Sequence, residues 1–178
     1  MRFLMMGKSL RIATLAVAMV FSACDSNSSP EENLEEMTRK VAGKFEDVKM
    51  ISTRELAAWL GDSARQPPQL LDIREPEEYA VSHLPGAIRC DPDASAEQIL
   101  AKIDPERAVV VYCSVGYRSS ALAERLGSSV PQALNLEGSI FKWANEGRPL
   151  VKDNQPTTRV HPYNKKFGKM LRKSLHAY

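Results

Sequence analysis

The chain has 178 residues, of which 43% are hydrophobic and 26% charged, a balance typical of one globular domain with short additional segments. Its net charge of +2 is unevenly spread. Residues 1–23 carry three basic and no acidic side chains, residues 24–151 carry 14 basic and 21 acidic ones, and residues 152–178 carry seven basic side chains against one acid. An acidic body with a basic tail argues against nucleic acid as the main partner, whereas the tail suits an anionic membrane surface.

Residues 1–23 are predicted to be a signal peptide. A basic region ends at Arg11, and the apolar stretch that follows is shorter than the roughly 20 residues needed to span a bilayer. It ends in FSAC, which resembles the lipobox of bacterial lipoproteins, although Phe21 stands where an aliphatic residue is usual. An ordinary secretory signal is the alternative. The preferred hypothesis is lipid attachment at Cys24, which predicts an exported protein anchored to the membrane on its periplasmic or cell-surface side.

Residues 24–47 are predicted to form the lipidated start and a spacer helix between anchor and domain. Ser29 and Glu32 have the spacing of a capping box, and Pro30 stands at the first helical position. Apolar residues at helical spacing give this helix one hydrophobic face, formed by Leu34, Met37 and Val41.

Residues 48–151 are predicted to form the domain, because short strand patterns alternate there with helical ones. The predicted helices include ISTRELAAWLG, SAEQILAKI, SSALAERLG and GSIFKWANEG. The predicted strands lie near 69–73 and 87–89, at 108–112 and in the segment ALNL. Alternating strands and helices predict an α/β fold with a largely parallel sheet.

The most apolar strand, AVVVY, ends on Cys113, where ligands bind in open α/β sheets. The loop that follows consists of Ser114, Val115, Gly116, Tyr117 and Arg118. Backbone N–H groups of such a loop and the helix N-terminus behind it favour an anion, and so the reactive thiolate. Gly116 permits unusual backbone geometry, and Arg118 offers a guanidinium to an oxyanion or to charge on sulfur. A buried cysteine acting as a small hydrophobe is the alternative, but the combined pattern favours a catalytic thiol.

Three sequence blocks together resemble the rhodanese homology domain over about residues 50–150. They are LLDIREPEEYAVSHLPGAI, VVVYCSVGYRSSALAERL and LEGSIFKWANEGRPL. The residues that carry the resemblance in the first block are Asp72, Arg74, Glu78, Tyr79, His83, Pro85, Gly86 and Ala87. The second block resembles the active-site loop with its catalytic cysteine, here Cys113. The resemblance implies a five-stranded parallel sheet with helices on both faces, and sulfur transfer through a persulfide on Cys113, with no cofactor and no metal.

Loop length and charge refine this expectation. The loop from Cys113 to Arg118 has six residues, the length typical of rhodaneses, whereas related phosphatases and arsenate reductases use one more. Because Arg118 is its only charged side chain, weak binding of thiosulfate is expected. Val115 and Tyr117 are predicted to form an apolar rim suited to an organic or protein persulfide. Two function classes remain: a sulfurtransferase with a small-molecule or protein donor and a thiol acceptor, and a non-catalytic, membrane-tethered binding module.

Other residues receive mainly structural interpretations. Asp72 is predicted to contact the active-site loop or to cap a turn, and both possibilities stay open. Arg74 and Glu78 are interpreted as scaffold residues that pair beneath the loop. His83 precedes a Pro-Gly turn and is expected to be structural, and Cys90 is expected to be a packing residue.

The basic tail, residues 152–178, is predicted to be helical. Its apolar residues fall near helical spacing at Phe167, Met170, Leu171 and Leu175. Such a helix would pack on the domain or lie on a membrane surface. A monomer is expected.

Overall fold

Five strands form one parallel sheet in the computed structural model, which describes residues 28–130 and 133–178. The strands are β1 (Met50–Ile51), β2 (Gln69–Asp72), β3 (Ile88–Arg89), β4 (Val109–Tyr112) and β5 (Ala133–Leu136). Their order across the sheet is β1-β5-β4-β2-β3, and every neighbouring pair is parallel. The predicted five-stranded parallel sheet is therefore confirmed.

The α-helices that surround the sheet are α1 (Pro30–Lys44), α2 (Thr53–Gly61), α3 (Pro76–Val81), α4 (Ala96–Leu100), α5 (Tyr117–Leu126) and α6 (Ser139–Asn145). Two hydrophobic clusters cover the two faces of the sheet. One contains apolar residues of α2 and α6, and the other contains apolar residues of α4 and α5. Helices on both faces are what an all-parallel sheet needs, because neither face can be left to water.

The central position of β4 explains its composition. All four of its residues are buried, and it pairs with β2 on one side and β5 on the other. Val110 and Tyr112 belong to one hydrophobic cluster, while Val109 and Val111 belong to the other. This alternation follows from the two-residue period of a strand. It carries Cys113, the next residue, into the cluster of Val111.

Helix α1 packs on the domain and does not stand apart as the expected spacer. It begins with the capping box of Ser29 and Glu32. Leu34 and Val41 are buried, as is Phe45, which follows the helix. The apolar face of this helix is therefore continuous with the two hydrophobic clusters of the domain.

The expected tail helix is not formed. The antiparallel hairpin of β6 (Leu150–Lys152) and β7 (Gln155–Thr157) leads into the tail, which then forms two short 3-10 turns at Phe167–Met170 and Lys173–Leu175. Met170 and Leu171 are buried against the domain. A continuous helix is not possible here because the backbone at Leu171 is extended. The apolar residues of the tail therefore contact the core from two separate turns.

The predicted signal peptide, residues 1–23, and the predicted lipidation site Cys24 lie outside the described residues. Within the part of the chain that is described, the helices are all too short or too polar to cross a bilayer.

Candidate active site

Cys113 lies at the end of β4, inside a tight loop that leads into α5. Gly116 is the N-cap residue of α5 and has φ +98°, a conformation that side chains other than glycine rarely adopt. Its N–H donates to the Cys113 sulfur at 3.1 Å. Because this donor and the N-terminus of a ten-residue helix face the sulfur, the loop favours negative charge there.

The start of α6 holds the loop from the other side. Ser139 Oγ accepts the Cys113 N–H at 3.1 Å and donates to the Leu136 carbonyl at 3.1 Å. The N–H groups of Ile140 and Phe141 donate to the carbonyls of Cys113 and Ser114. Ser139 is fully buried and has φ +51°. Sequence reasoning missed this residue, although its position within the third block of the resemblance, directly after Gly138, is a usable signal.

Arg118 is held by a carboxylate. Its Nη1 and Nη2 donate to the two carboxylate oxygens of Glu78 at 2.9 and 3.0 Å, and Nη2 also donates to Ser114 Oγ at 3.0 Å. Ser114 Oγ in turn donates to Glu78 at 2.6 Å. Glu78, only 1% exposed, therefore pairs with Arg118 and not, as expected, with Arg74. The reason is that Arg74 is already engaged by Asp72.

These contacts keep both partners ionised. Burial by itself would raise the pKa of Glu78, but the hydrogen bonds from Arg118 and Ser114 outweigh it and lower the pKa below its ordinary value. Burial would lower the pKa of Arg118, and the hydrogen bonds to Glu78 together with the nearby charge of Cys113 raise it instead. The loop thus contains a guanidinium whose charge is locally compensated.

Asp72 and Arg74 form a second ion pair, fully buried at the end of β2. Arg74 Nη2 donates to Asp72 Oδ2 at 2.6 Å and to the Ser82 carbonyl at 2.6 Å. The backbone N–H of Arg74 donates to Asp72 Oδ1 at 3.1 Å, so Asp72 caps the turn that follows its strand. Burial would lower the pKa of Arg74, and the charge of Asp72 raises it. This geometry makes the pair a scaffold below the site.

His83 and Cys90 also occupy structural positions. The His83 ring stacks on Tyr79 with 3.9 Å between ring centroids, and its backbone bridges to Val151. Cys90 is a free, fully buried thiol whose pKa is raised by burial. A buried thiol of raised pKa is poorly suited to nucleophilic attack.

Cys113 is 1% exposed and lies at the bottom of a pocket of about 180 Å³. The pocket is lined by Cys113, Ser114, Val115, Tyr117, Arg118, Tyr163 and Phe167. Val115 is 2% exposed and belongs to the hydrophobic core, so it does not form the expected rim of the pocket. Tyr163 and Phe167 come from the tail, and sequence reasoning missed them because the apolar spacing there indicated a helix.

The other side of the pocket is bordered by Tyr117, which is 40% exposed. Its ring meets Phe45 edge-on at a centroid distance of 5.3 Å, and Lys44 contacts its hydroxyl and lies 4.6 Å from its ring centroid. Of the aromatic residues that line the pocket, Tyr163 and Phe167 lie outside the segments that resemble a known family.

Comparisons with known proteins identify the family of this domain. The rhodanese-like domain profile matches residues 52–146, more than half of the chain. The chain is 37% identical over 101 residues to the "Probable adenylyltransferase/sulfurtransferase MoeZ" of Mycobacterium tuberculosis, a match covering 56% of this chain and 25% of that protein. It is 37% identical over 83 residues to a "Sulfurtransferase" of Allochromatium vinosum, covering 46% of this chain and 77% of that protein.

A solved structure gives the same fold. The crystal structure of a rhodanese-like domain protein from Staphylococcus aureus matches with a TM-score of 0.52 and 30% identity, and covers 60% of this chain and 100% of that one. The match of the profile and the order of the strands together identify the fold family. The chain belongs to the rhodanese-like domain family, which includes its sulfurtransferase relatives.

Proposed function

We propose that this protein is a sulfurtransferase that carries sulfane sulfur as a persulfide on Cys113. The observation that supports this most directly is the hydrogen bond from Gly116 N–H to the Cys113 sulfur at the start of α5. A thiolate at a helix N-terminus is a reactive nucleophile. The pocket around it is small, so it suits the transfer of a single sulfur atom from the end of a donor. The relatives named as sulfurtransferases add support.

The reaction consists of two nucleophilic displacements. In the first, the Cys113 thiolate attacks the outer sulfur of a donor, a new S–S bond forms, and the S–S bond of the donor breaks. The electron pair of that bond leaves with the donor, as a thiolate from a persulfide or as sulfite from thiosulfate. In the second, an acceptor thiolate attacks the outer sulfur on Cys113, takes it, and releases the Cys113 thiolate. No external oxidant or reductant is needed.

The surroundings of Cys113 suit the persulfide intermediate. The outer sulfur carries negative charge, which the N-terminus of α5 stabilises. The nearby Arg118 charge adds to this field, reduced by its partner Glu78. Ser139 fixes the backbone N–H of Cys113 and thereby its orientation.

Mass spectrometry of the intact protein tests the proposal. After incubation with thiosulfate or a small alkyl persulfide, wild type should gain the mass of one sulfur, and removal by a thiol acceptor should restore the original mass. Cys113→Ser should show no gain, while Cys90→Ser, which changes a buried thiol, should behave as wild type. Failure of every donor, with Cys113 still open to alkylation by iodoacetamide, would favour the binding-module alternative.

We also propose that the protein is exported and attached to a membrane through lipid on Cys24. The FSAC motif and the polar segment DSNSSP after it support this. Asn33 Nδ2 lies 3.5 Å from the Lys169 carbonyl, and Arg172 pairs with Glu31 at 2.6 Å. Helix α1 therefore lies beside the basic tail. The exposed lysines there are Lys165, Lys166, Lys169 and Lys173.

Metabolic labelling with palmitate and partitioning into detergent would test the lipid, with Cys24→Ala as the control. We expect label and detergent partitioning in wild type only. A wild-type protein that is processed but carries no palmitate label would indicate that residues 1–23 are an ordinary secretory signal. Binding of the Cys24→Ala protein to anionic vesicles, compared with neutral ones, would separately test the basic tail.

A further inference from the structure

The tail contributes one wall of the catalytic pocket. Tyr163 and Phe167 line the same cavity of about 180 Å³ as Cys113 and Arg118. Their rings meet edge-on, with 5.3 Å between centroids and an angle of 89° between ring planes. Arg118 Cζ lies 4.8 Å from the centre of the Tyr163 ring. Both aromatic residues lie beyond residue 146, where the rhodanese-like match ends.

The backbone at Tyr163 is in an unfavourable conformation. Its φ is +62°, which non-glycine residues seldom adopt. The N–H of Asn164 donates to the Pro162 carbonyl at 2.7 Å, so the chain reverses around this single residue. Strain of this kind persists where neighbouring contacts hold it, and it concentrates at functional sites. Here the turn directs the ring to Arg118 and Phe167.

The wall is built as a packed element. Asn164 Oδ1 accepts the N–H groups of Lys166 and Phe167 at 2.9 and 3.0 Å, and the Asn164 carbonyl accepts the N–H of Gly168 at 2.8 Å. A Cβ atom on Gly168 would come within 3.1 Å of the His176 ring. These contacts fix the position of the Phe167 ring relative to the loop that carries Cys113.

We infer that Tyr163 and Phe167 determine which donors reach Cys113, and that they restrict the site to low-molecular-weight persulfides on an unbranched alkyl chain. This inference rests on the sulfurtransferase function proposed above. A pocket of about 180 Å³ is below the roughly 300 Å³ at which ordinary ligand pockets begin, so it holds only the end of a slender donor. Its tail wall is aromatic and its one guanidinium is paired with Glu78, which favours an alkyl group over a dianion.

A persulfide on the surface of a folded protein is a bulkier donor than a small alkyl persulfide. Its backbone and neighbouring side chains would have to approach a sulfur that is 1% exposed. The Phe167 and Tyr163 rings line the pocket that such a partner would have to enter. The small donor should therefore react much faster than the protein-borne one, and removal of either ring should reduce the difference.

The first experiment compares two donors on the full-length protein: n-propyl persulfide, which has an unbranched alkyl chain, and a persulfide on a single-cysteine carrier protein. Phe167→Ala should raise the ratio of kcat/KM for the carrier to kcat/KM for the small donor about tenfold or more. Tyr163→Gly should act in the same direction, and glycine suits the positive φ, so this variant keeps the fold. Tyr178→Ala removes an aromatic residue of the same tail, 84% exposed, and should match wild type.

A second experiment measures access to Cys113 without sulfur transfer. Alkylation by iodoacetamide and by a maleimide on a large polyethylene glycol is followed at Cys113 by peptide mass spectrometry. Wild type should discriminate strongly against the large reagent, and Phe167→Ala and Tyr163→Gly should lose much of that discrimination. If this result is obtained without any persulfide formation, the wall is supported and the sulfurtransferase function fails. Equal discrimination in wild type and both variants, in either experiment, would overturn the inference.

Discussion

The Arg118 guanidinium donates to both carboxylate oxygens of Glu78, at 2.9 and 3.0 Å, so the one charged side chain of the active-site loop is already neutralised. A dianion such as thiosulfate gains little from a cation in this state. We expect wild type to show a high KM for thiosulfate and a better kcat/KM for a small alkyl persulfide. Saturation by micromolar thiosulfate would contradict this.

A cation added at the pocket mouth should change this preference. Tyr117→Lys places a charge at a position that is 40% exposed, whereas lysine at Val115 would have to be buried in the core. Tyr117→Lys should lower the KM for thiosulfate several-fold, and raising the salt concentration should reverse part of the effect. Tyr117→Gln is the matched control for loss of the ring, and an equal KM for both variants would exclude a charge effect.

The Glu78–Arg118 pair also predicts a pH dependence of stability. Glu78→Gln should lower the free energy of unfolding at neutral pH by about 2–4 kcal/mol, because it leaves a largely buried guanidinium without its partner. The pKa of Glu78 is lowered in the folded state, so its stabilisation is present above the ordinary value of 4.5 and is lost as the pH falls below it. The gap between wild type and variant should therefore shrink at acid pH, as measured by urea unfolding. A gap that stays constant would contradict the ionised pair.

Ser139 and Ser119 provide a matched comparison, because both are fully buried serines. Ser139 Oγ bonds to Cys113 N–H and to the Leu136 carbonyl, whereas Ser119 Oγ has no hydrogen-bond partner among the described residues. Ser139→Ala should cost about 1–3 kcal/mol of stability and slow alkylation of Cys113, while Ser119→Ala should be nearly neutral. Equal effects of the two substitutions would rule out the positioning role of Ser139.

The buried Asp72–Arg74 pair should affect stability and not catalysis. Asp72→Ala leaves the buried Arg74 guanidinium without compensation, which should cost about 3–5 kcal/mol in unfolding experiments. The folded fraction of the variant should retain the wild-type rate of persulfide formation, because Asp72 bonds to Arg74 and caps its own turn. If the rate of persulfide formation fell by more than the fraction of folded protein, Asp72 would have a role in catalysis.

The local pattern of the sequence was sufficient for the central strand and its loop. A run of buried β-branched residues, a cysteine and then a glycine places Cys113 at the end of β4 and before α5. The wall of the pocket was not predictable in this way. Phe167 and Leu171 have helical spacing, but the chain turns at Tyr163 and becomes extended at Leu171, because each segment follows the surface it packs on.

The ion pair between Glu78 and Arg118 could not be predicted from a sequence pattern either. Glu78 and Arg118 are 40 residues apart, and Arg74 is closer to Glu78 in sequence. Glu78 pairs with Arg118 and not with Arg74 because Arg74 is already paired with Asp72 at the end of β2. Predicting this requires the relative positions of two strand ends and a helix, which no spacing rule contains.

The contact between helix α1 and the tail, through Glu31 and Arg172, joins segments on either side of the family match. Tyr163 and Phe167 line the pocket of Cys113 but follow the matched region, so one wall of the pocket and the reactive loop belong to separate segments of the chain. A fragment trimmed to residues 52–146 would lack both of these aromatic residues, so its pocket would differ from the pocket of this protein.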